Sequence, residues 1–254
     1  MKYSGFPKIG AKHTLEPMVT PKKWFGKRKL NKPKQLETAI FIYSNNLLRN
    51  LRRALKMKRH YGAYGSQGNA DEFISKNKKV MVVKLGIGAP LTATVAEELI
   101  FYGIKNFIIL GSSGSLSKDV GINEIVLCTK SVRDEGTSHH YVKSSLFAYP
   151  DKLLSKRLAL AITKTGFNFR KAPSWTIDAP YRETYNEVMH YRKMGIVSVE
   201  MEAAALFTVA KLFKRRASAA FFISDILDEE RDGTVESRKL GYKKMAKIAE
   251  AMFS

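Results

Sequence analysis

Apolar residues in this chain come in short unbroken runs separated by longer stretches where they recur every third or fourth position. The runs at 38–43, 79–84, 106–110, 124–132 and 217–223 are rich in β-branched and aromatic residues, and each predicts a strand covered on both faces. The helical spacing falls at 46–57, 91–102, 151–165, 184–193 and 235–252, with a further strand near 173–177. Ser44 or Asn45 is placed to cap the first of these helices, and Gly103 to close the second. Turns are expected at 62–68 and 119–123, and a loop at 133–141. Strands alternating with helices, without an internal repeat, predict one α/β domain with a largely parallel or mixed sheet between helical layers.

The stretch at 196–213 joins both patterns. Ile196, Val197 and Val199 read as a strand, after which Met201, Ala205, Val209 and Leu212 share one helical face. Glu202 then lies in the first helical turn, off that stripe and at the crevice edge of a sheet. Taken alone, it could simply compensate the positive end of the helix.

Composition narrows the setting. No apolar run approaches the ~18 residues needed to span a bilayer, and no secretory leader follows Met1, so neither a membrane partner nor export is expected. The single cysteine, Cys128, lies in the apolar run 125–129; it reads as a buried strand residue and fits a reducing cytoplasm. Charge is the unusual property: 44 basic against 23 acidic residues give +21. Residues 1–60 hold 16 Lys and Arg against Glu16 and Glu37, a net of +14. With four prolines among lysines, residues 1–36 read as a basic, irregular N-terminal arm ahead of a domain at 37–254. Aromatic interleaving is thin, so a solvated basic surface is expected rather than nucleic-acid binding.

Three strand ends carry candidate chemistry. Gly86-Ile87-Gly88 and Gly111-Ser112-Ser113-Gly114 read as glycine turns whose N–H groups could cradle an anion. The first lacks the third glycine of a dinucleotide fingerprint. Ser224-Asp225 ends the strand 217–223, where an acid beside apolar neighbours suits general-acid use. No cluster of metal ligands is present, since His139 and His140 sit side by side in a loop.

Together the segments 86–93, 111–115, 131–141, 176–183 and 199–206 carry a resemblance. The chain resembles the nucleoside phosphorylase family of uridine phosphorylases, hexameric purine nucleoside phosphorylases and methylthioadenosine phosphorylases or nucleosidases. The resemblance implies a single-domain three-layer α/β/α sandwich around a strongly twisted mixed sheet. It implies phosphate-dependent cleavage of the N-glycosidic bond, with inorganic phosphate as co-substrate and no other cofactor. It also implies a dimer-based homo-oligomer, a hexamer in the type it resembles.

Carried over by motif, the resemblance gives Glu202 the ribose 2′- and 3′-hydroxyls, with Met201 packed on the sugar; Glu200, two residues earlier and so pointing elsewhere, reads as a structural partner. Ser112 and Gly111 would hold phosphate together with Arg49 and Arg59, and His13 would reach the ribose 5′-hydroxyl of a neighbouring subunit. Asp225 matches the acid that protonates a purine, with Ser224 beside it, and Tyr181, Ser113 and Gly114 would line the base. The chain departs from the pattern in two places: Asn45-Asn46 stands where the family has a glycine phosphate turn, and Ile109 where it has an arginine. The His139-His140-Tyr141 loop looks like the uridine branch and Asp225 like the purine branch, and the purine reading is preferred.

Overall fold

The computed structural model describes residues 11–26, 33–60, 70–117, 119–227 and 235–253, with only the backbone at 235–237. The turn expected at 62–68, and residues 1–10 and 27–32 of the arm, lie outside the described residues. Within the arm, a 3-10 turn at Lys12–Thr14 precedes α1 (Pro21–Phe25), which docks Phe25 against Tyr102, their rings 5.8 Å apart.

From there the elements run β1 (Thr38–Ile42), α2 (Asn45–Ala54), β2 (Lys58–His60), β3 (Ala70–Ile74), β4 (Val80–Leu85), α3 (Ala89–Phe101) and β5 (Asn106–Ser115). The second half holds β6 (Ile125–Arg133), α4 (Ser138–Tyr141), β7 (Phe147–Ala148), α5 (Lys152–Lys164), β8 (Phe169–Thr176), α6 (Tyr185–Lys193), β9 (Ser198–Glu200), α7 (Ala203–Leu212), β10 (Arg216–Ile226) and α8 (Val235–Phe253). Local chemistry explains the boundaries. Ser44 caps α2, Asp151 caps α5 at 2.7 Å, and Thr184 with Glu187 forms a capping box on α6.

The sheet is mixed, one of the two arrangements, largely parallel or mixed, that the alternation of strands and helices allows. Parallel pairs join β4, β1, β5 and β10 on one side and β6, β8 and β9 on the other, with antiparallel pairs between. Because β10 bonds both β5 and β6, and β9 returns to β5, the sheet curls closed at that end. Two apolar layers cover it. The alternation along the strands sends Phe41, Met81, Phe107 and Ile109 towards α3 and α7, and Ile40, Val82, Ile108 and Leu110 towards α2, α5 and α8. The chain therefore forms the expected three-layer α/β/α sandwich, and Gly111–Gly114, Met201, Glu202, Ser224 and Asp225 come together where β5, β9 and β10 meet.

Three local expectations are corrected. The segment 111–114 is not a turn: β5 continues through it, paired with β10 from Gly111 to Gly114. Ser224 and Asp225 likewise lie inside β10 rather than after it. The helix after β9 begins at Ala203, so Met201 and Glu202 precede it, and residues 203–210 are buried all round while Leu212 is exposed. A helix packed on every side shows no stripe, which is why the single-face reading failed.

Candidate functional site

The end of β9 sets the geometry. Glu200 is buried, and its Oε1 accepts from Ser131 Oγ (3.1 Å), Ser174 Oγ (3.1 Å) and Thr176 Oγ1 (2.5 Å). Its Oε2 accepts the N–H groups of Glu202 (2.8 Å) and Ala203 (2.7 Å). Glu200 thus satisfies the first N–H groups of α7, the task that helix geometry leaves to a capping acceptor. With that role filled, Glu202 makes no side-chain cap. Its carboxylate turns instead to α3, where Oε1 accepts the Gly88 N–H at 2.8 Å.

Gly88 sits at φ 114°, a conformation closed to residues with a Cβ, and this aims its N–H out of the α3 terminus. Among the described residues, the turn at 86–88 thus offers its Gly88 N–H to the chain's own Glu202 carboxyl, not to a phosphate. Burial raises the Glu202 carboxyl to about 8, with the nearby Glu200 charge adding to the effect. Such an acceptor gains from a ligand that brings hydroxyl donors to it.

Around Glu202 is a cavity of about 470 Å³. Of the residues assigned from the sequence, Gly111, Ser112, Ser113, Gly114, Met201, Glu202, Ser224 and Asp225 all line it. They come from three strands or their ends, which the curl of the sheet draws together. Ser112 and Ser113 face opposite sides of β5; Ser112 is exposed, whereas Ser113 is buried and its Oγ lacks a hydrogen-bond partner among the described residues. Gly114 leaves space that a Cβ would take from Leu227 and Val199.

The β10 wall contains a bulge. Ile223 pairs with Ser113 and Asp225 with Gly114, so Ser224 is the extra residue. The Ser224 hydroxyl lies 2.6 Å from Asp225 Oδ1 and 3.3 Å from the Ser113 carbonyl, and it can donate to either. An extra residue here re-aims consecutive side chains, and it places both Ser224 and Asp225 on the cavity.

Four assigned residues do not line this cavity. Arg49 is exposed on α2, with its guanidinium on Asn46 Oδ1. Arg59, on β2, pairs with Asp71. His13 belongs to the 3-10 turn whose neighbouring Lys12 Nζ meets His140 Nδ1 at 2.7 Å. Tyr181 is 96% exposed, although Pro180 and Glu183 beside it reach the cavity. Ile109, at the position where an arginine was expected, is fully buried in the core between β5 and the α3–α7 layer.

Tyr43 was not assigned from the sequence. It lines the cavity just past β1, and its hydroxyl is 2.9 Å from Thr92 Oγ1 on α3. Burial, followed by the Glu202 charge, raises its phenol well above the usual range. The available signal was its place at the end of the run 38–43, on the same strand face as Phe41. Thr92 itself is fully buried.

Comparisons with known proteins identify the family. Residues 46–254 match the family model described as the phosphorylase superfamily. Curated relatives named purine nucleoside phosphorylase DeoD-type from Bacillus cytotoxicus, Bacillus cereus and Bacillus thuringiensis are each 30% identical over 176 residues, covering 68% of this chain and 75% of theirs. The chain belongs to the phosphorylase superfamily.

Proposed function

We propose that this protein is a nucleoside phosphorylase that cleaves purine nucleosides with inorganic phosphate to free base and ribose 1-phosphate. The observation that carries the reading is Glu202: a buried carboxyl, not used to cap its own helix, held on the Gly88 N–H in the lining of a cavity. A carboxyl fixed in this way suits the paired hydroxyls of a ribose and, once ionised, the positive charge that grows on the sugar as the glycosidic bond loosens. Met201 packs on the sugar, and Ser113 and Gly114 border the base. The Ser224–Asp225 pair delivers a proton to the departing purine from the opposite wall. Ser112, exposed on the other face of β5, contacts phosphate together with Gly111.

In this reading the enzyme works as a homo-oligomer built from dimers, a hexamer in the type it resembles. His13 and Arg59 then serve a neighbouring subunit's site, and Arg49 lies near the phosphate. No cofactor takes part beyond the phosphate itself, and the setting is cytoplasmic. Names of the relatives quoted above support the purine preference, as does Asp225 at the cavity wall.

A second reading has its own observation. Among the described residues, the cavity lining includes Glu183, Glu200, Glu202 and Asp225 but no lysine or arginine. A phosphate dianion needs charge-assisted donors, each contributing about 1.5–3 kcal/mol, so this lining also suits a nucleosidase that uses water. Base release from inosine, adenosine, methylthioadenosine and uridine, each with and without phosphate, separates the two. Ribose 1-phosphate appearing with phosphate supports the phosphorylase; ribose appearing at the same rate without it supports the nucleosidase.

A further inference from the structure

The excess of positive charge is sorted by face. Helices α2, α5 and α8, which share one apolar layer under the sheet, carry twelve basic residues against two acidic ones. On the other face, α3 and α7 with the short α1 and α4 packed against them carry three basic residues against two acidic ones. On α2, Arg49, Arg52 and Arg53 are exposed. Lys152, Lys156, Arg157 and Lys164 are exposed on α5, as are Arg238, Lys243 and Lys247 on α8. Among the described residues, none of the α2 or α5 cations is in a salt bridge. Like charge on both partners also opposes a second copy of this chain docking here.

Large apolar residues stand among these cations. Leu153 is 55% and Leu160 54% exposed, two turns apart on one side of α5, with Lys156 and Arg157 between them. Leu240, on the adjacent α8, is 50% exposed beside Lys243. The opposite side of α5, at Leu154, Leu158 and Ile162, is spent on the core, so these outward leucines are not needed for folding.

We propose that the α2–α5–α8 face docks on an anionic lipid bilayer. Cations spread over a layer of three helices lying against one sheet suit a surface of acidic headgroups. Leucines between lysines on an outward helix face give the apolar contact that a bilayer interface accepts and a nucleic-acid backbone does not use. Docking of this kind lies on the membrane and needs no spanning segment; among the described residues no helix is long and apolar enough to cross one. The active cavity opens beside β5, β9 and β10, and none of the leucines lines it.

The test is co-sedimentation of the full chain with phosphatidylcholine vesicles, with and without phosphatidylserine, across a salt series. The proposal expects binding only to the serine-containing vesicles, weakening with salt. Substituting Lys156, Arg157 and Lys164 together by Gln should lower partition about a hundredfold, and Leu153→Ser with Leu160→Ser at least about tenfold. Both variants should keep the wild-type melting temperature and rate of base release. Equal sedimentation with both kinds of vesicle would overturn the proposal, as would wild-type partition in both variants. Tighter binding to a duplex RNA than to the serine vesicles at the same salt, unaffected by the leucine changes, would reassign the face to nucleic acid and also overturn it.

Discussion

Glu202 accepts the backbone N–H of Gly88 at 2.8 Å although 114 positions separate the two in sequence. The bond ties the start of α7 to the start of α3 and fixes a carboxyl group in the cavity lining. It exists because Glu200, two residues earlier, already holds the N–H groups of Glu202 and Ala203. Two acids in one short segment thus divide two tasks, Glu200 holding the start of α7 and Glu202 the start of α3.

The first prediction concerns that division. Glu200→Ala removes a buried acceptor used by three hydroxyls and two backbone N–H groups. Leaving those donors unpaired should cost about 3–5 kcal/mol, read as a large drop in urea midpoint. Glu202→Gln should keep the fold and weaken nucleoside binding, read by calorimetry with inosine. Equal destabilisation by the two changes would remove the distinction.

pH separates the same residues further. The Glu202 carboxyl is raised by burial to about 8 from an ordinary 4.5. The native protein therefore keeps this proton where the unfolded chain releases it. The associated stability is complete at acid pH and is lost as pH rises from about 4.5 through about 8, on the order of a few kcal/mol. Relative to Glu202→Gln, the wild type should lose melting temperature steadily between pH 5 and pH 8. Glu200, also raised by burial, is present in both proteins and largely cancels from the difference. A difference that stays constant with pH would contradict this assignment.

Asp225→Asn tests the proton donor. If Asp225 protonates the leaving purine, turnover of inosine should fall about 10²–10⁴-fold, with little change in binding of the nucleoside. Ser224→Ala should have a smaller effect in the same direction, because it removes only the hydroxyl hydrogen-bonded to Asp225 Oδ1. Wild-type turnover in Asp225→Asn would take the residue out of the chemistry.

Gly114→Ala probes the shape of the cavity. The added methyl would overlap Leu227 Cδ1 and crowd Val199 Cγ1. Leu227 can shift at modest cost, so stability should fall by about 1–3 kcal/mol while KM for the nucleoside rises. Adding Leu227→Ala should restore much of both. A double variant no better than the single one would show that the constraint lies in the backbone.

The reach of the sequence follows from which signals are local. Strands at 38–43 and 106–110, and helices capped by Ser44, Asp151 and Thr184, are written in neighbouring residues, and they form as expected. The carboxylate at 202 was also legible, because it adjoins a strand end. Relationships made by tertiary closure were less visible. Gly111 to Gly114 looked like a turn, since glycines and serines usually end strands, yet pairing with β10 carries the strand through them. The bulge at Ser224 exists only as a register shift between two strands 110 positions apart. The Gly86–Gly88 turn was read as an anion cradle, but only the fold discloses that Glu202 occupies it. Tyr43 was missed because its partner, Thr92, lies on another element.

The central claim is tested most directly by following hypoxanthine release from inosine while phosphate is varied from none to saturation. A phosphorylase shows release that requires phosphate, saturates with it, and yields ribose 1-phosphate in amounts equal to the base. Release at an unchanged rate without phosphate, with free ribose as product, would contradict that claim.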